Sequence, residues 1–324
     1  VRILITGGAG YIGSHTAKEA ARAGHTPIVV DNLEHGHRWA VKWGPLIEAD
    51  LSNRPVLRDV FARQKVDAVI HFAAYIAVGE SVGNPARYFR NNVANALNLF
   101  EAGVEAGVRD FVFSSTAAVY GDPIQVPIPE EHPAAPVSPY GESKLMGERI
   151  LEWFERAYGI RSARLRYFNA SGADPDGEIG EEHNPETHLI PLAIGAALGR
   201  RGPLELYGTD YDTQDGTAIR DYIHVTDLAR AHLGALEYIR RHSRSIVCNL
   251  GTGKGYTVRE VIQTVERVGR VRVPVRESPR RPGDAPALIA DATRARNELN
   301  WAPELSSLET IVATAWAWQK NRRG

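Results

Sequence analysis

Through the first half of the chain, short apolar runs alternate with longer stretches whose apolar residues recur at helical spacing. Residues 3–6, 27–30, 67–71, 111–114 and 164–167 have the length and the β-branched or aromatic content of strands. Residues 15–23, 56–64, 91–107 and 139–158 predict helices. The first of these stops at Gly24, and the third places Val93, Leu97, Phe100 and Val104 along one stripe. Strands separated by helix-length crossovers predict a parallel sheet covered on both faces, and right-handed crossovers make it doubly wound.

The alternation stops after Asn169. Residues 172–191, rich in Gly, Pro, Asp, Glu and Asn, predict a loop or lid, and residues 208–217 a second irregular stretch. Residues 220–224 and 246–250 predict strands. Thr257-Val258-Arg259-Glu260 has the spacing of a capping box that opens a helix. Residues 274–286 predict loop, and residues 307–319 an amphipathic helix carrying Trp316 and Trp318. The expected organisation is a nucleotide-binding α/β domain over 1–169, with strands returning to it from about 218–252. A smaller, irregular α+β lobe occupies 170–324, with an interleaved boundary.

Composition narrows the class. The chain has 324 residues, 38 Lys+Arg against 39 Asp+Glu, and a formal charge of −1. That balance gives no electrostatic reason to expect nucleic acid or a membrane surface as partner. One cysteine, Cys248, excludes an internal disulfide framework and a multi-cysteine metal site. No apolar run reaches the ~18 residues of a membrane span, and the strand-like Val1–Thr6 start leaves no room for a signal peptide. A cytoplasmic protein is expected.

Gly7-Gly8-Ala9-Gly10-Tyr11-Ile12-Gly13 lies between the first strand and the first helix. Glycines at 7, 10 and 13 permit a tight turn, close approach of the backbone to a pyrophosphate, and close helix–strand packing. The helix start offers unpaired N–H groups to phosphate. This is the position of the Rossmann dinucleotide fingerprint, here spaced GxxGxxG. Asp31, followed by Asn32, ends the second strand about 20 residues on. A carboxylate there accepts from adenosine ribose hydroxyls and repels a 2′-phosphate, so NAD is favoured over NADP. Asp50 and Leu51 are placed to flank the adenine. After His71, the small residues of Phe72-Ala73-Ala74 let the backbone approach the phosphates. Gly251-Thr252-Gly253-Lys254-Gly255 has the wrong spacing for a second such site and reads as a turn.

Tyr140-Gly141-Glu142-Ser143-Lys144 opens the helix at 139–158, and i,i+4 spacing puts Tyr140 and Lys144 on one face. A free phenol has a pKa of about 10 and is a poor base at neutral pH. A neighbouring ammonium and the positive nicotinamide ring would favour the phenolate. Ser114-Ser115-Thr116, at the end of a strand, offers hydroxyls to the same reacting oxygen.

With these segments the chain resembles the extended short-chain dehydrogenase/reductase superfamily and, within it, the UDP-glucose 4-epimerase family. The matching segments, 6–15, 31–33, 71–81, 91–93, 113–122, 138–144, 166–169, 220–224 and 281–284, follow the family order over nearly the whole chain. The resemblance implies that Tyr140 is the catalytic base, that Lys144 anchors the nicotinamide ribose and lowers the tyrosine pKa, and that Thr116 is the hydroxyl partner. It also implies that Ser114, Asn91 and Tyr167 contact the cofactor. Phe168, Asn169, His188, Leu189, Leu206, Tyr207, Arg220, Arg281, Asp284 and Leu288 fall at nucleotide-sugar positions. The implied reaction removes a hydride from C4 of a UDP-sugar and returns it to the opposite face. NAD stays tightly bound and is regenerated at each turnover, and no metal is required.

Three positions depart from the pattern. Ile76 stands where some members carry a lysine, and His188 where others carry asparagine. Leu288 occupies a place whose size is linked to tolerance of N-acetylated sugars. The related 4,6-dehydratases carry an acidic pair after the Ser/Thr position, whereas Thr116 is followed by Ala117-Ala118. Epimerases of the N-acetylglucosamine, xylose or glucuronate series share the catalytic residues, and a non-catalytic NAD sensor or scaffold would typically have lost Tyr140 or Lys144. The remaining histidines, His183 among them, are read as capping, surface or core residues without a ligand-spaced cluster. Helices 86–107 and 139–158 resemble the pair that forms an intersubunit four-helix bundle in the superfamily, which implies a homodimer with Phe100 on an outward face.

Overall fold

A computed structural model describes residues 1–281 and 283–321. Its strands, in chain order, are β1 (Arg2–Thr6), β2 (Thr26–Asp31), β3 (Leu46–Glu48), β4 (Ala68–His71), β5 (Asp110–Thr116), β6 (Arg161–Tyr167), β7 (Asn169–Ser171), β8 (Leu204–Tyr207), β9 (Ile219–His224), β10 (Ile246–Leu250), β11 (Gly255–Thr257), β12 (Val275–Ser278) and β13 (Ala287–Leu288). Seven of them form one parallel sheet in the order β10-β6-β5-β4-β1-β2-β3. The order reverses between β1 and β4. Ligands of open α/β sheets bind at such a reversal, outside the carboxyl ends of the strands.

Alternation along each strand builds the two layers. Ile3 and Ile5 face a core shared with Ala17 and Ala20 of the Tyr11–Arg22 helix and with Leu228, Ala235 and Ile239 of the Val225–His242 helix. Leu4, Val69, Phe111 and Phe113 face the other side, against Leu57, Phe61, Leu99, Phe100 and Leu151. Both faces are therefore covered, and the middles of β1, β2 and β4 are apolar, as in buried parallel strands, while β5 and β6 also carry buried polar residues.

Phe100 corrects one expectation. It is fully buried, edge-on to Phe111 at 5.9 Å between ring centroids, and it faces the sheet rather than outward. A charge placed there would enter the core and would report on folding, not on subunit pairing. The segment before it is also not one regular helix. Pro85–Phe89 is α-helical, Arg90–Ala94 makes a π turn, and Asn95–Glu105 resumes the α-helix.

The second half carries a four-stranded sheet, with β9 between β11 and β13 and β7 also paired to β9, and a small β8–β12 pair. Strand β12 falls inside the expected 274–286 loop. It pairs along β8 with Val275 opposite Leu204 and Ser278 opposite Tyr207. The helix Leu189–Ala197 begins inside the stretch read as loop. The capping box at Thr257 and Glu260 is present with both of its hydrogen bonds. Thr252 and Gly253 donate to the Asp221 carboxylate, so the 251–255 glycines form a turn wrapped on a buried acid.

The 172–188 segment is a strap tied down on both sides. Lys18 reaches Asp174 at 2.6 Å, Asp176 at 2.9 Å and Glu178 at 2.6 Å. Lys42 donates to the Glu178 carbonyl, Trp318 to that of Glu181, and His37 is 3.1 Å from that of Glu182. No helix among the described residues is long and apolar enough to cross a membrane.

Candidate active site

The glycine loop sits at the reversal of strand order. Gly7 has φ +73°, and a Cβ on it would lie 2.6 Å from the Ala73 nitrogen; a Cβ on Gly13 would lie 2.2 Å from the Gly7 carbonyl oxygen. The Phe72–Ala73 backbone therefore crosses directly against the loop, and its N–H groups bond the Thr6 carbonyl. Gly10 caps the Tyr11–Arg22 helix without a side chain, leaving the first-turn N–H groups for a ligand. Ile12 packs into the core, and the Tyr11 hydroxyl donates to the Gly172 carbonyl at 2.6 Å. Tyr11 thus ties the loop to the strap.

Asp31 lies at the end of β2 and accepts from the N–H groups of Ala9, at 3.0 Å, and Leu33, at 2.9 Å. Burial raises its pKa while those two donors oppose the shift. A buried carboxylate beside the glycine loop suits vicinal ribose hydroxyls and opposes a phosphate. Asn32 donates to Asp50 at 2.8 Å, and Leu51, next in the chain, is buried. Ala74 is half-buried on the same strand-end segment. An uncapped helix start, a loop no side chain could occupy and an acid at the next strand end fit a dinucleotide such as NAD.

The reactive residues meet where β5 ends and the Pro139–Tyr158 helix begins. Ser138 caps that helix by accepting from Gly141, and Pro139 fixes its first turn. Tyr140 and Lys144 then face the sheet edge together. The Thr116 hydroxyl lies beside the Tyr140 phenol and opposes the upward shift that burial imposes on it. Lys144 Nζ donates to the Ser114 carbonyl at 2.7 Å, and burial drives its pKa down from 10.5 to about 7. Ser114 Oγ bonds the Tyr167 hydroxyl. Burial thus holds the phenol above its ordinary pKa, with Thr116 opposing the shift.

Asn91 lies in the π turn and donates to Asn92 at 3.1 Å. Its buried neighbour Asn92 bonds both the N–H and the carbonyl of Tyr75 and the hydroxyl of Ser143. Asn92 thereby fixes the strand-end segment to the helix that carries Tyr140. Behind β5, the buried Glu148 accepts from Ser115 and holds Arg166 in a two-pronged pair, Nη2 to Oε2 at 2.6 Å. Arg166 Nη1 reaches the Tyr120 hydroxyl at 3.1 Å, which donates to Asn249 at 2.6 Å. Sequence reasoning missed these supports. Asn92, Glu148 and Asn249 lie inside apolar-patterned elements, and only a polar residue at a core-facing position could have flagged them.

Most of the expected nucleotide-sugar residues gather on the second lobe. Leu288 pairs with Arg220 across β13–β9, and Asn169 with Tyr222 across β7–β9. Phe168 and Leu288 pack on the cluster of Ala117, Val119 and Leu145 beside the catalytic helix. Asp284 accepts from Arg281 at 2.9 Å and lies 3.6 Å from Arg220, while Arg281 stacks over Tyr207 at 4.9 Å. Leu189 opens the Leu189–Ala197 helix. The Leu206 side chain is buried in that lobe's own core, so only its backbone can face a ligand.

The histidine reading needs correction. His183 and His188 lie with Glu181 and Glu186 in one cluster whose ligand-capable atoms are all within 4.8 Å of one another. Burial acts to lower both imidazoles, but the carboxylates overcome it and raise His183 to about 9 and His188 to about 10. The four residues stand at i, i+2, i+5 and i+7 of an irregular strap, so neither helical nor strand periodicity could bring them together.

The chain is similar to known proteins over nearly its whole length. The family model of the NAD dependent epimerase/dehydratase family matches residues 3–251. The UDP-glucose 4-epimerase of Rhizobium meliloti (strain 1021) is 50% identical over 320 residues, covering 99% of this chain and 97% of that protein. The crystal structure of UDP-glucose 4-epimerase from Brucella ovis in complex with NAD superposes with TM-score 0.96 at 49% identity, over 98% of this chain and 97% of that one. That from Bifidobacterium longum, in complex with NAD+ and UDP, superposes with TM-score 0.94 at 39% identity, over 99% of each chain.

Proposed function

The chain belongs to the NAD dependent epimerase/dehydratase family, and from that premise we propose that it interconverts UDP-glucose and UDP-galactose by inverting C4 through a transient 4-keto sugar. The observation that carries this reading is the meeting of Tyr140, Thr116, Lys144 and Ser114 at the sheet edge, beside the glycine loop. The absence of an acid at Ala117-Ala118 favours epimerisation over dehydration.

When bound, NAD+ supplies the hydride acceptor and donor and a positively charged ring. The Gly7–Gly13 loop and the first helix turn would hold its diphosphate, and Asp31 its adenosine ribose; Asn32, Asp50 and Leu51 would flank the adenine. Tyr140 takes the proton from the C4 hydroxyl and gives it back to the C4 oxygen after the keto sugar has turned. Thr116 keeps the reacting oxygen aligned with the phenol. Lys144, with its pKa near 7, holds or releases a proton at working pH and orients the ribose hydroxyls. Arg220 and Arg281 fork onto the UDP diphosphate, and Asp284 accepts from the uridine ribose. Grip concentrated on the nucleotide leaves the sugar free to present either face, so binding energy does not lock one epimer.

The test is direct. Purified protein mixed with UDP-galactose and no added NAD should form UDP-glucose, and the N-acetyl, pentose and uronate analogues should react more slowly. If none of these sugars is converted, the reading is wrong; if an analogue is fastest, the sugar is reassigned within the same chemistry.

We also propose that the chain pairs with a second copy through the outer faces of its catalytic-side helices. Trp153, on the Pro139–Tyr158 helix, is 65% exposed, and Val82, on the neighbouring Val78–Gly83 helix, is 64% exposed. Sedimentation should give the mass of two chains; a single-chain mass would contradict the pairing.

A further inference from the structure

We propose that Glu181, His183, Glu186 and His188 form a binding site for one divalent transition-metal ion of the zinc type. Each residue brings one ligand-capable atom within 4.8 Å of the other three. His183 Nδ1 lies 3.2 Å from Glu181 Oε1 and 3.7 Å from Glu186 Oε2. His188 Nδ1 lies 2.8 Å from Glu181 Oε1 and 2.9 Å from Glu186 Oε1. A tetrahedron with zinc–ligand bonds of about 2.0–2.1 Å has ligand–ligand edges of about 3.3 Å. The carboxylate–imidazole separations straddle that length, and one donor from each of the four residues lies within 4.8 Å of the others.

Hydrogen bonding does not fully account for the arrangement. The Glu181 side chain is 6% exposed. Its Oε1 and His183 Nδ1 are buried and, although close, make no hydrogen bond among the described residues. His188 Nδ1 bonds Glu186 Oε1 at 2.9 Å, so the donors left over at the centre of the cluster are Glu181 Oε1 and His183 Nδ1. Two carboxylates offset the charge of a divalent ion, and the imidazole–carboxylate donor set favours zinc-type ions over magnesium or calcium. The nearby trio of Asp174, Asp176 and Glu178 is different, because Lys18 already occupies its centre.

The strap is braced to hold such a site. Trp318 donates to the Glu181 carbonyl, and the rings of Tyr11 and His183 meet edge-on at 6.2 Å. An ion here would clip residues 181–188 together at the start of the Leu189–Ala197 helix. With Nδ1 on the ion, His188 must carry its proton on Nε2, fixing the ring as a donor. The site does not depend on the epimerase reading and is measured without substrate.

The test uses the full chain, stripped with a chelator, loaded with zinc sulfate and dialysed into metal-free buffer. Elemental analysis should find one zinc per chain, and uptake should release protons at neutral pH. The cobalt(II) form should show the intense visible bands of four-coordinate cobalt. Zinc should raise the melting temperature of the wild-type chain by several degrees. Glu181→Gln and His183→Ala should each lose the bound equivalent and that shift, whereas His242→Ala, far along the chain on an exposed helix end, should keep both. Wild-type protein that retains no zinc would overturn the proposal, as would six-coordinate cobalt bands. So would an equivalent that survives both cluster variants. Should either variant fail to fold, the wild-type stoichiometry and cobalt spectrum still decide.

Discussion

Tyr140→Phe is expected to lower the turnover of UDP-galactose by about 10²–10⁴-fold, the usual contribution of a positioned general acid–base. The NAD content of the purified protein should be unchanged. The substitution removes one oxygen and keeps the ring, so the packing at the start of the Pro139–Tyr158 helix survives. The Thr116 hydroxyl loses the phenol beside it, but it still accepts from the Ala118 N–H at 3.2 Å and is not stranded. The loss should fall in kcat with KM nearly constant, because the nucleotide is gripped by the distant Arg220–Asp284–Arg281 group. Full activity in this variant would remove Tyr140 from the chemistry.

The second large effect is structural. Glu148→Ala should destabilise the fold by about 3–5 kcal/mol, the usual result of breaking a buried ion pair from one side. Melting temperature should fall by roughly 5–10 °C. The Arg166 guanidinium would be left in the interior with only Tyr120 and the Glu130 carbonyl as partners, and Ser115 would lose its acceptor. Because Ser115 lies between Ser114 and Thr116 on β5, the damage should also reach catalysis in the fraction that folds. A melting temperature equal to wild type would show that the network carries little stability.

The glycine loop, the helix start at Pro139 and the Tyr140–Lys144 pair were legible because each depends on local chemistry. Gly7 must adopt a positive φ, Pro139 must follow an N-cap, and i,i+4 neighbours must share a helix face. The parallel sheet was legible for a similar reason, since strands covered on both faces hold unbroken apolar runs, as at Ile3-Leu4-Ile5 and Phe111-Val112-Phe113. Phe100 was misplaced because a helix with two apolar stripes does not say which one meets the sheet, and the π turn at Arg90–Ala94 rotates the register just before it. Strand β12 is exposed and charged, with Arg276 and Glu277 in its middle, so no hydrophobic pattern marks it. The Val225–His242 helix could have been found from Leu228, Ala231, Ala235, Leu236 and Ile239, which recur at three- and four-residue spacing. The Glu–His cluster could not, because its members are joined by the path of an irregular strap rather than by any period.

The account turns on when the phenol of Tyr140 becomes a base. Burial raises its pKa, Thr116 alone does not offset that, and Lys144 Nζ donates to the Ser114 carbonyl. The direct measurement is the ultraviolet phenolate absorbance of wild type minus Tyr140→Phe across pH, with NAD bound and after its removal. With NAD bound, one phenolate should appear near neutral pH; with NAD removed, it should appear only above about 10. A difference signal that titrates above 10 in both states would contradict the account.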